Sequence, residues 1–445
     1  MAFGNLYRRC IFAKKLGMKR ISLAMIAIAS VVLLGCDSNG SSDVRPSDVS
    51  WTDEQWATIK TLRPVDSGGY LYEMNYTADY KLDEVLALGA SDMFDIITGI
   101  KNVILPKSQY NFPFDVANTS LGLGCTCFSA AAEDGGYILG RNYDFPPMDD
   151  HIMIIHTPQV KDANGKIVRH AVVGCADLSP VTNLITEERG YQDDKMKEFV
   201  LYSPYFILDG INDAGLMCGL MVLEYDGVFQ KAKDGQKNLL NVLIPRLILD
   251  KCTTVREATD LISSYAIQTM FAVNPNPMYC IDMHFVIADN TGDRVVVEWV
   301  GDDIKIMHAD SEDLYERQGN NANYVLSTNF YLSKDKKPCP EQIKEIGFWR
   351  YETLKTQFNK LKDTKLTVTG AMDMCKSVRI MNNDEDAIKK MLEMTYLNPF
   401  INWEDKNEWP WITLWSEVYD TKTLSLMYCL REEYDRHYDF GLDYK

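Results

Sequence analysis

The chain has 445 residues, of which 46% are hydrophobic and 24% are charged, and its formal net charge is −17 at pH 7. An acidic surface of this kind repels phosphate backbones, so nucleic acid is excluded as an expected partner. The length and hydrophobic content are sufficient for an ordinary core, so the eleven cysteines are expected to be mostly buried thiols rather than a disulfide framework.

Sequence motifs for metals and common cofactors are missing. The six histidines form no pair at the i, i+4 spacing, and no second Cys or His pair accompanies Cys125 and Cys127 at zinc spacing. Gly122 and Gly124 lack the third glycine and the following helix of a dinucleotide fingerprint, and there is no Walker loop. We therefore expect neither a metal nor a cofactor.

The first 35 residues have the composition of an export signal. Two basic residues precede an apolar run over 21–34, which is too short for a comfortable membrane span and typical of a signal peptide. The run ends in a Leu-Leu-Gly-Cys sequence at Cys36, similar to a bacterial lipoprotein cleavage box. Cys36 is therefore expected to carry a lipid and residues 36–50 to form a tether. These features predict an exported bacterial lipoprotein, anchored to a membrane in the periplasm or at the cell surface.

Residues 51–124 are expected to be a folded pro-segment, because they contain many aromatic side chains. Their periodicity predicts a helix over 51–63, a strand over 70–76, and one or two helices over 82–103.

Residues 125–445 are predicted to form a separate domain of paired strands and helices. The predicted hairpins are 125–132 with 137–144, 151–156 with 169–174, 205–211 with 216–223, and 283–288 with 294–300. Helices are predicted at 238–249, 255–265, 340–361 and 368–379, and further strands at 325–330, 411–419 and 424–430. Hairpin-rich sheets interrupted by paired helices predict an α+β fold, a four-layer αββα sandwich.

The first of these hairpins carries the most informative residues of the chain. Cys125 lies sixteen residues before Arg141 and nineteen before Asp144, with a Gly-rich acidic turn over 133–136 between them. Folding the second strand beside the first would place the arginine near the sulfur, where it would lower the thiol pKa, and the carboxylate near an amine. This set indicates a cysteine nucleophile. Cys127 faces the same side of the strand and is the rival nucleophile.

The same residues carry a family resemblance. Cys-Thr-x-Phe at 125–128, followed by Gly-Arg-Asn-x-Asp-Phe at 140–145, resembles the N-terminal nucleophile hydrolases of the choloylglycine hydrolase group. That group includes bile salt hydrolases, penicillin V acylases, and acid ceramidase-like and isopenicillin N acyltransferase-like amidases. Later segments match in the family's order, at 208–216, 324–330, 348–351 and 411–420. The ordered set is specific to the superfamily and poorly specific to substrate.

The resemblance implies a role for each matched residue. Cys125 would become the first residue of the active chain, and its own α-amino group would serve as the base. Arg141 would favour the thiolate, Asp144 would orient the amine, the Asn329 amide would bind the oxyanion, and Arg350 would be a second active-site arginine.

The expected substrate-binding residues lie in or beside the matched motifs. One is polar, Asn212 in the Asp-Gly-x-Asn segment, and four are apolar: Phe145, Met148, Met221 and Tyr225. Two departures from the family limit this transfer. In this chain 124 residues precede Cys125, and the cleft sequence at 219–222 is Gly-Leu-Met-Val where bile salt hydrolases have Gly-Leu-Asn-Phe. The second departure bears on bile-salt specificity and leaves the catalytic set unchanged.

The reaction that the resemblance implies is hydrolysis of a linear, non-peptide C–N amide through a thioester acyl-enzyme. Conjugated bile salts and penicillin V side chains are examples of such small amphipathic amides. One alternative is an acyltransferase that passes the acyl group to an amine, and another is a non-catalytic lipoprotein that binds an amphipathic ligand. The sequence also leaves a homo-oligomer open.

Overall fold

The computed structural model describes most of the chain between Arg45 and Lys445. The described residues are 45–47, 49–109, 124–145, 152–178, 191, 194–223, 228–269, 282–314, 323–336, 347–361, 363, 365–380, 412–431 and 433–445. The expected export signal, the expected lipidation site Cys36, and the expected substrate-binding residues Met148 and Tyr225 lie outside them. Within the described residues, no helix has both the length and the apolar character needed to cross a membrane.

The N-terminal region, residues 45–109, folds into short helices and strands. Helix α1 (Asp53–Ile59) begins at a capping box, in which the side chains of Thr52 and Gln55 each accept a hydrogen bond from the other residue's backbone. The elements that follow are β1 (Arg63–Pro64), β2 (Leu71–Asn75), α2 (Leu82–Ala87) and α3 (Met93–Ile104). The predicted helix, strand and paired helices are thus confirmed, although α1 is shorter than expected.

Strands dominate the rest of the chain. In chain order they are β3 (Gly124–Ala132), β4 (Tyr137–Phe145), β5 (Ile152–Thr157), β6 (Val160–Lys161), β7 (Ile167–Arg169), β8 (Val172–Asp177), β9 (Ile207–Asn212), β10 (Met217–Val222), β11 (Asn238–Leu240), β12 (Ala266–Gln268), β13 (Met283–Ala288), β14 (Arg294–Val300), β15 (Asp303–His308), β16 (Tyr324–Ser327), β17 (Lys365–Leu366), β18 (Ile412–Asp420), β19 (Ser425–Leu430) and β20 (Tyr438–Gly441). The helices among them are α4 (Asp194–Phe199), α5 (Ile244–Lys251), α6 (Val255–Ser263), α7 (Phe348–Lys360) and α8 (Val368–Ser377).

Most predicted hairpins are confirmed, and three predicted elements need correction. Strand β5 pairs with β8 at 172–177, so the partner strand expected at 169–174 begins three residues later than predicted. The helix expected from residue 238 begins only at Ile244, because Asn238–Leu240 pairs in parallel with Ala266–Gln268. The strand expected at 325–330 ends at Ser327, which leaves Asn329 in the segment after the strand.

The strands form two large sheets. One has nine strands in the order β1-β2-β5-β8-β9-β10-β13-β14-β15, in which β2 and β5 are parallel and the other neighbours antiparallel. The other has seven strands in the order β16-β3-β4-β18-β19-β20, with β17 paired to β3. The α+β class predicted from the sequence is confirmed.

The two sheets pack face to face, and helices cover their other faces. A Cβ built on Gly219 of β10 would lie 2.8 Å from the Cys127 sulfur on β3, so glycine permits this close approach. On the far side of the nine-stranded sheet, α5 packs against β9 and β10. On the far side of the seven-stranded sheet, the Phe358 ring of α7 lies 5.5 Å from that of Phe128, and α8 packs against β4 and β18.

The N-terminal region is built into the nine-stranded sheet through β2, which pairs with β5. Buried tyrosines fasten it to later parts of the chain. The Tyr76 hydroxyl donates to the Leu201 carbonyl at 2.9 Å, and the Tyr80 hydroxyl donates to Asp250 at 2.6 Å. Residues 45–109 are therefore part of the folded core.

Candidate active site

The hairpin β3–β4 carries the predicted site residues on its two faces. Gly124 is paired in register with Asp144, and Cys127 with Arg141. Because side chains alternate along a strand, Cys125 and Arg141 point into the layer between the sheets, whereas Asp144 points toward the helices. Residues that are close in sequence are thus divided between two environments.

Arg141 lies beside the candidate nucleophile on the inner face. Its Nη2 is 4.0 Å from the Cys125 sulfur. Burial raises the pKa of the Cys125 thiol, and Arg141 is the strongest influence that lowers it. The lowered thiol pKa expected from the sequence is therefore not observed in the uncut chain, because burial outweighs the arginine. Burial also raises the pKa of the Cys127 thiol, well above its ordinary range, and Arg141 is again the strongest influence that lowers it.

Two carboxylates hold the completely buried Arg141. Its Nη1 donates to Asp209 and, at 3.1 Å, to Glu417, while Nη2 donates to the Leu220 carbonyl at 2.9 Å. The Tyr419 hydroxyl also donates to Asp209. Burial, together with the neighbouring Asp209, raises the pKa of Glu417 well above its usual range, which favours the protonated acid.

Arg350 organises the outer face. Its Nη1 donates to Asp144 and to the Thr126 hydroxyl at 3.2 Å, and its Nη2 donates to the Asn329 side-chain oxygen at 2.8 Å. The Thr413 hydroxyl donates to the other Asp144 oxygen at 2.5 Å. Burial raises the pKa of Asp144, although Arg350 and Thr413 act against it.

Gly124 packs closely against the Asp144–Arg350 ion pair. A Cβ built there would lie 3.1 Å from the Asp144 Cβ and 3.3 Å from Arg350 Nη2, so a larger residue would crowd both side chains. The carboxylate and the guanidinium therefore flank the residue before Cys125.

Asn329 contacts the Gly124–Cys125 peptide bond directly. Its Oδ1 accepts from the Cys125 backbone nitrogen at 2.7 Å, and its Nδ2 donates to the Val222 carbonyl at 2.7 Å. In the uncut chain the nitrogen of Cys125 is thus held by Asn329, whereas Asp144 is paired with Arg350. The structure therefore brings Cys125, Arg141, Asp144, Asn329 and Arg350 together around one peptide bond.

The expected substrate-binding residues are placed differently. Asn212 is completely buried and directed toward the helix side of its sheet, where its Nδ2 donates to the carbonyls of Leu249 and Cys252 at 2.9 and 2.8 Å. It is not brought to Cys125. Met221 is completely buried on the inner face of β10, as is Gly219. Phe145 is described through its backbone alone, as the last residue of β4.

Sequence reasoning missed the acidic partners of Arg141. Asp209 and Glu417 are completely buried carboxylates inside strands of mostly apolar sequence. That position was the available signal, because a buried carboxylate requires a partner. Their ligand atoms, with the Cys175 sulfur, lie within 4.8 Å of one another, which is close enough for a metal. Arg141 already supplies the cation between the two carboxylates, so this group fits a guanidinium better than a metal ion.

Fold and site together define a class: a sheet-rich α+β protein in which a buried thiol, two arginines, a carboxylate and an amide meet at one peptide bond. The family model of the linear amide C–N hydrolases, choloylglycine hydrolase family, matches residues 125–335. Residues 125–335 thus match the model of that family, and the resemblance drawn from the motifs is confirmed. The match includes Asn329 and ends before Arg350.

Several solved structures are similar to this chain. Two are variants of the conjugated bile acid hydrolase from Clostridium perfringens, each 16% identical, with a TM-score of 0.38, covering 71% and 72% of this chain and 92% of their own. Another is the penicillin V acylase from Agrobacterium tumefaciens, 14% identical, with a TM-score of 0.38 over 69% of this chain and 83% of its own. The comparison with curated proteins gave no match.

Proposed function

We propose that this protein hydrolyses a linear amide through Cys125, after cleavage of the Gly124–Cys125 bond makes that cysteine N-terminal. In this proposal the two packed sheets and their helices are the αββα sandwich of N-terminal nucleophile hydrolases. The observation that supports it best is the convergence on a single peptide bond. Asn329 accepts from the nitrogen of that bond at 2.7 Å, and Arg141 lies 4.0 Å from the sulfur beside it.

Cleavage begins with attack by the Cys125 sulfur on the Gly124 carbonyl carbon. The C–N bond breaks as the C–S bond forms, the nitrogen takes up a proton and becomes a free amine, and water then hydrolyses the thioester. The products are a carboxylate on Gly124 and a chain that begins at Cys125. An α-amine has an ordinary pKa of about 7.7–8.0, so much of it is free base near neutral pH.

Turnover then uses the same thiol. The α-amine takes the thiol proton, the thiolate attacks the carbonyl carbon of the amide, and the amine product leaves with a proton. Water hydrolyses the resulting thioester and releases the acid. Arg141 stabilises the thiolate, and Asn329 and Asp144 hold the α-amine. An amide nitrogen carries two hydrogens, and Val222 accepts one of them, so the other can be donated to the oxyanion.

The N-terminal region stays bound after cleavage in this proposal. No cysteine lies between Cys36 and Cys125, so a disulfide cannot retain it. Strand β2 lies inside the nine-stranded sheet, and Tyr76 and Tyr80 are completely buried against later elements. A lipid on Cys36 would then anchor both parts of the protein to the membrane.

Intact mass and N-terminal sequencing of the chain from residue 37 onward test the proposal. We expect a fragment that begins at Cys125, co-purifying with the N-terminal fragment, and thiol-dependent release of acid from an apolar acyl amide. An uncut chain with no turnover would overturn the proposal and favour the non-catalytic binding protein. Transfer of the acyl group to an added amine, in place of release as acid, would assign the acyltransferase reaction.

A further inference from the structure

A second buried polar cluster adjoins the site and takes no part in the proposed chemistry. It consists of His284 on β13, Glu298 on β14 and Ser327 at the end of β16, all completely buried. His284 is paired in register with Met221, and the next residue, Val222, accepts the hydrogen bond from Asn329.

Glu298 binds the backbone after Asn329. Its two oxygens accept from the backbone nitrogens of Ser333 and Leu332 at 2.6 and 3.2 Å. An ionised carboxylate has acceptors only, so it matches two backbone donors, and such charge-assisted bonds are about twice as strong as neutral ones.

His284 binds the backbone before Asn329. Its Nε2 is 2.5 Å from the Thr328 carbonyl oxygen, and because a carbonyl only accepts, Nε2 must carry the hydrogen. Its Nδ1 is 3.4 Å from Glu298, and the Ser327 hydroxyl lies 3.2 and 3.3 Å from the two ring nitrogens. His284 and Glu298 thus lie side by side and contact the backbone on both sides of Asn329.

We propose that the His284–Glu298 pair consists of positioning residues that fix the Asn329 amide against Cys125. Strand β16 ends at Ser327, so ladder pairing of β16 does not extend to Asn329. His284 and Glu298, on the nine-stranded sheet, supply side-chain anchors for the backbone of this segment at Thr328, Leu332 and Ser333. The inference rests on the proposed function, because only in that reaction does the Asn329 amide need an accurate position.

The test compares Glu298→Gln with the wild-type chain. Glutamine keeps the size of the side chain but replaces one acceptor oxygen with an NH2 group, which would face a backbone N–H. We expect kcat/KM for an amide substrate to fall about 10- to 100-fold through kcat, because small misplacements of catalytic groups have effects of that order. Iodoacetamide should still alkylate Cys125 at the wild-type rate, and hydrogen exchange in the peptide covering 328–333 should accelerate.

His284→Gln should show the same pattern more weakly, since the glutamine NH2 group can still donate to the Thr328 carbonyl. Ser129→Ala is the matched control, because that buried hydroxyl on β3 has no hydrogen-bond partner among the described residues, and its removal should change none of these measurements. Wild-type turnover and exchange in Glu298→Gln would overturn the inference. Equal losses of turnover and Cys125 alkylation would also overturn it, because the pair would then support the whole site.

Failure of the proposed function gives a different result. The wild-type chain would then show neither cleavage nor turnover. In that case the exchange measurement still decides whether the His284–Glu298 pair holds the segment that carries Asn329.

Discussion

The two arginines of the site are both completely buried, yet they lie in different charge environments. Arg141, between the sheets, faces the carboxylates of Asp209 and Glu417 and the nearby Cys125 thiol. Arg350, on the helix side, faces the carboxylate of Asp144 and two uncharged oxygens. Counted over the described residues, the first cluster has one carboxyl group more than it has cations, whereas the second has one of each.

The difference is one of degree in how far each cluster favours a protonated acid: burial raises the pKa of Asp144 although Arg350 acts against it, and burial together with Asp209 raises the pKa of Glu417 well above its usual range. A buried carboxylate without a cation of its own takes up a proton rather than remain charged, which agrees with the raised pKa of Glu417. The protonation state around Arg141, and with it the field at the Cys125 sulfur, can therefore change with pH. Arg350 fixes the positions of Asp144, Asn329 and the peptide bond, and within the described part of the chain Asp144 is its carboxylate partner.

The largest effect is expected from removing the thiol, which lies on the Arg141 side. Cys125→Ala should leave an uncut chain without activity, because both the cleavage and the turnover use that sulfur. Cys127→Ala is the control, and it should retain both. Intact mass and amide hydrolysis measure the outcome, and processing in Cys125→Ala, or its loss only in Cys127→Ala, would make Cys127 the nucleophile.

Removal of Arg350, the arginine that is paired with Asp144, should destabilise the fold strongly. Arg350→Met leaves Asp144 buried without its cation, a change that typically costs about 3–5 kcal/mol. Adding Asp144→Asn should recover part of that loss, because the unpaired charge is then gone while Thr413 retains an acceptor. Urea unfolding of the two single variants and the double variant forms the cycle. Additive losses would mean that the ion pair does not hold the outer face.

Glu417, the additional carboxyl group beside Arg141, should make the unfolding free energy depend on pH. A glutamate whose folded pKa is raised stabilises the fold below its unfolded pKa of about 4.3, and this contribution is lost as pH rises toward the folded pKa. Glu417→Gln removes that loss. Between pH 5 and pH 8 the unfolding free energy of the variant, relative to that of the wild type, should therefore rise by about 1 kcal/mol or more. A tenfold preference for the protonated form corresponds to about 1.4 kcal/mol.

Both proteins in this pH comparison should carry Cys125→Ala, so that cleavage does not alter the unfolding curves. Glu433→Gln, on an exposed side chain, is the control and should show no such gain. A constant difference between Glu417→Gln and its parent across this pH range would show that Glu417 is ionised in the fold, and the contrast between the clusters would disappear.

The smallest effect on the unfolding free energy is expected from removing a hydroxyl group on either face of β3. Thr126→Val removes the 3.2 Å hydrogen bond from Arg350 and should cost about 1 kcal/mol in unfolding free energy. Ser129→Ala removes a hydroxyl on the other face, one with no hydrogen-bond partner in the part of the chain that the structure describes, and should cost less. Equal costs would mean that the Arg350 bond adds nothing measurable.

Local patterns predicted the elements that local interactions build. The hairpin β3–β4 follows from alternating apolar runs around a Gly-rich turn, and it was predicted with its pairing. The strand at 238–240 was predicted as helix, because its pairing depends on residues 266–268, which periodicity within one segment does not reveal. Asn212 was assigned to the site by its motif, yet the structure directs its amide to the carbonyls of Leu249 and Cys252.

By itself the sequence determined the thiol, the arginine and the carboxylate of the hairpin, since a short turn brings them together with few alternatives. Only the tertiary structure decided their electrostatics. Asp209 and Glu417 reach Arg141 from 68 and 276 positions away, and Asn329 reaches the Cys125 nitrogen from 204 positions away. Contacts of that separation depend on how two sheets stack, and burial in that stack, rather than the nearest charge, raises the pKa of Cys125.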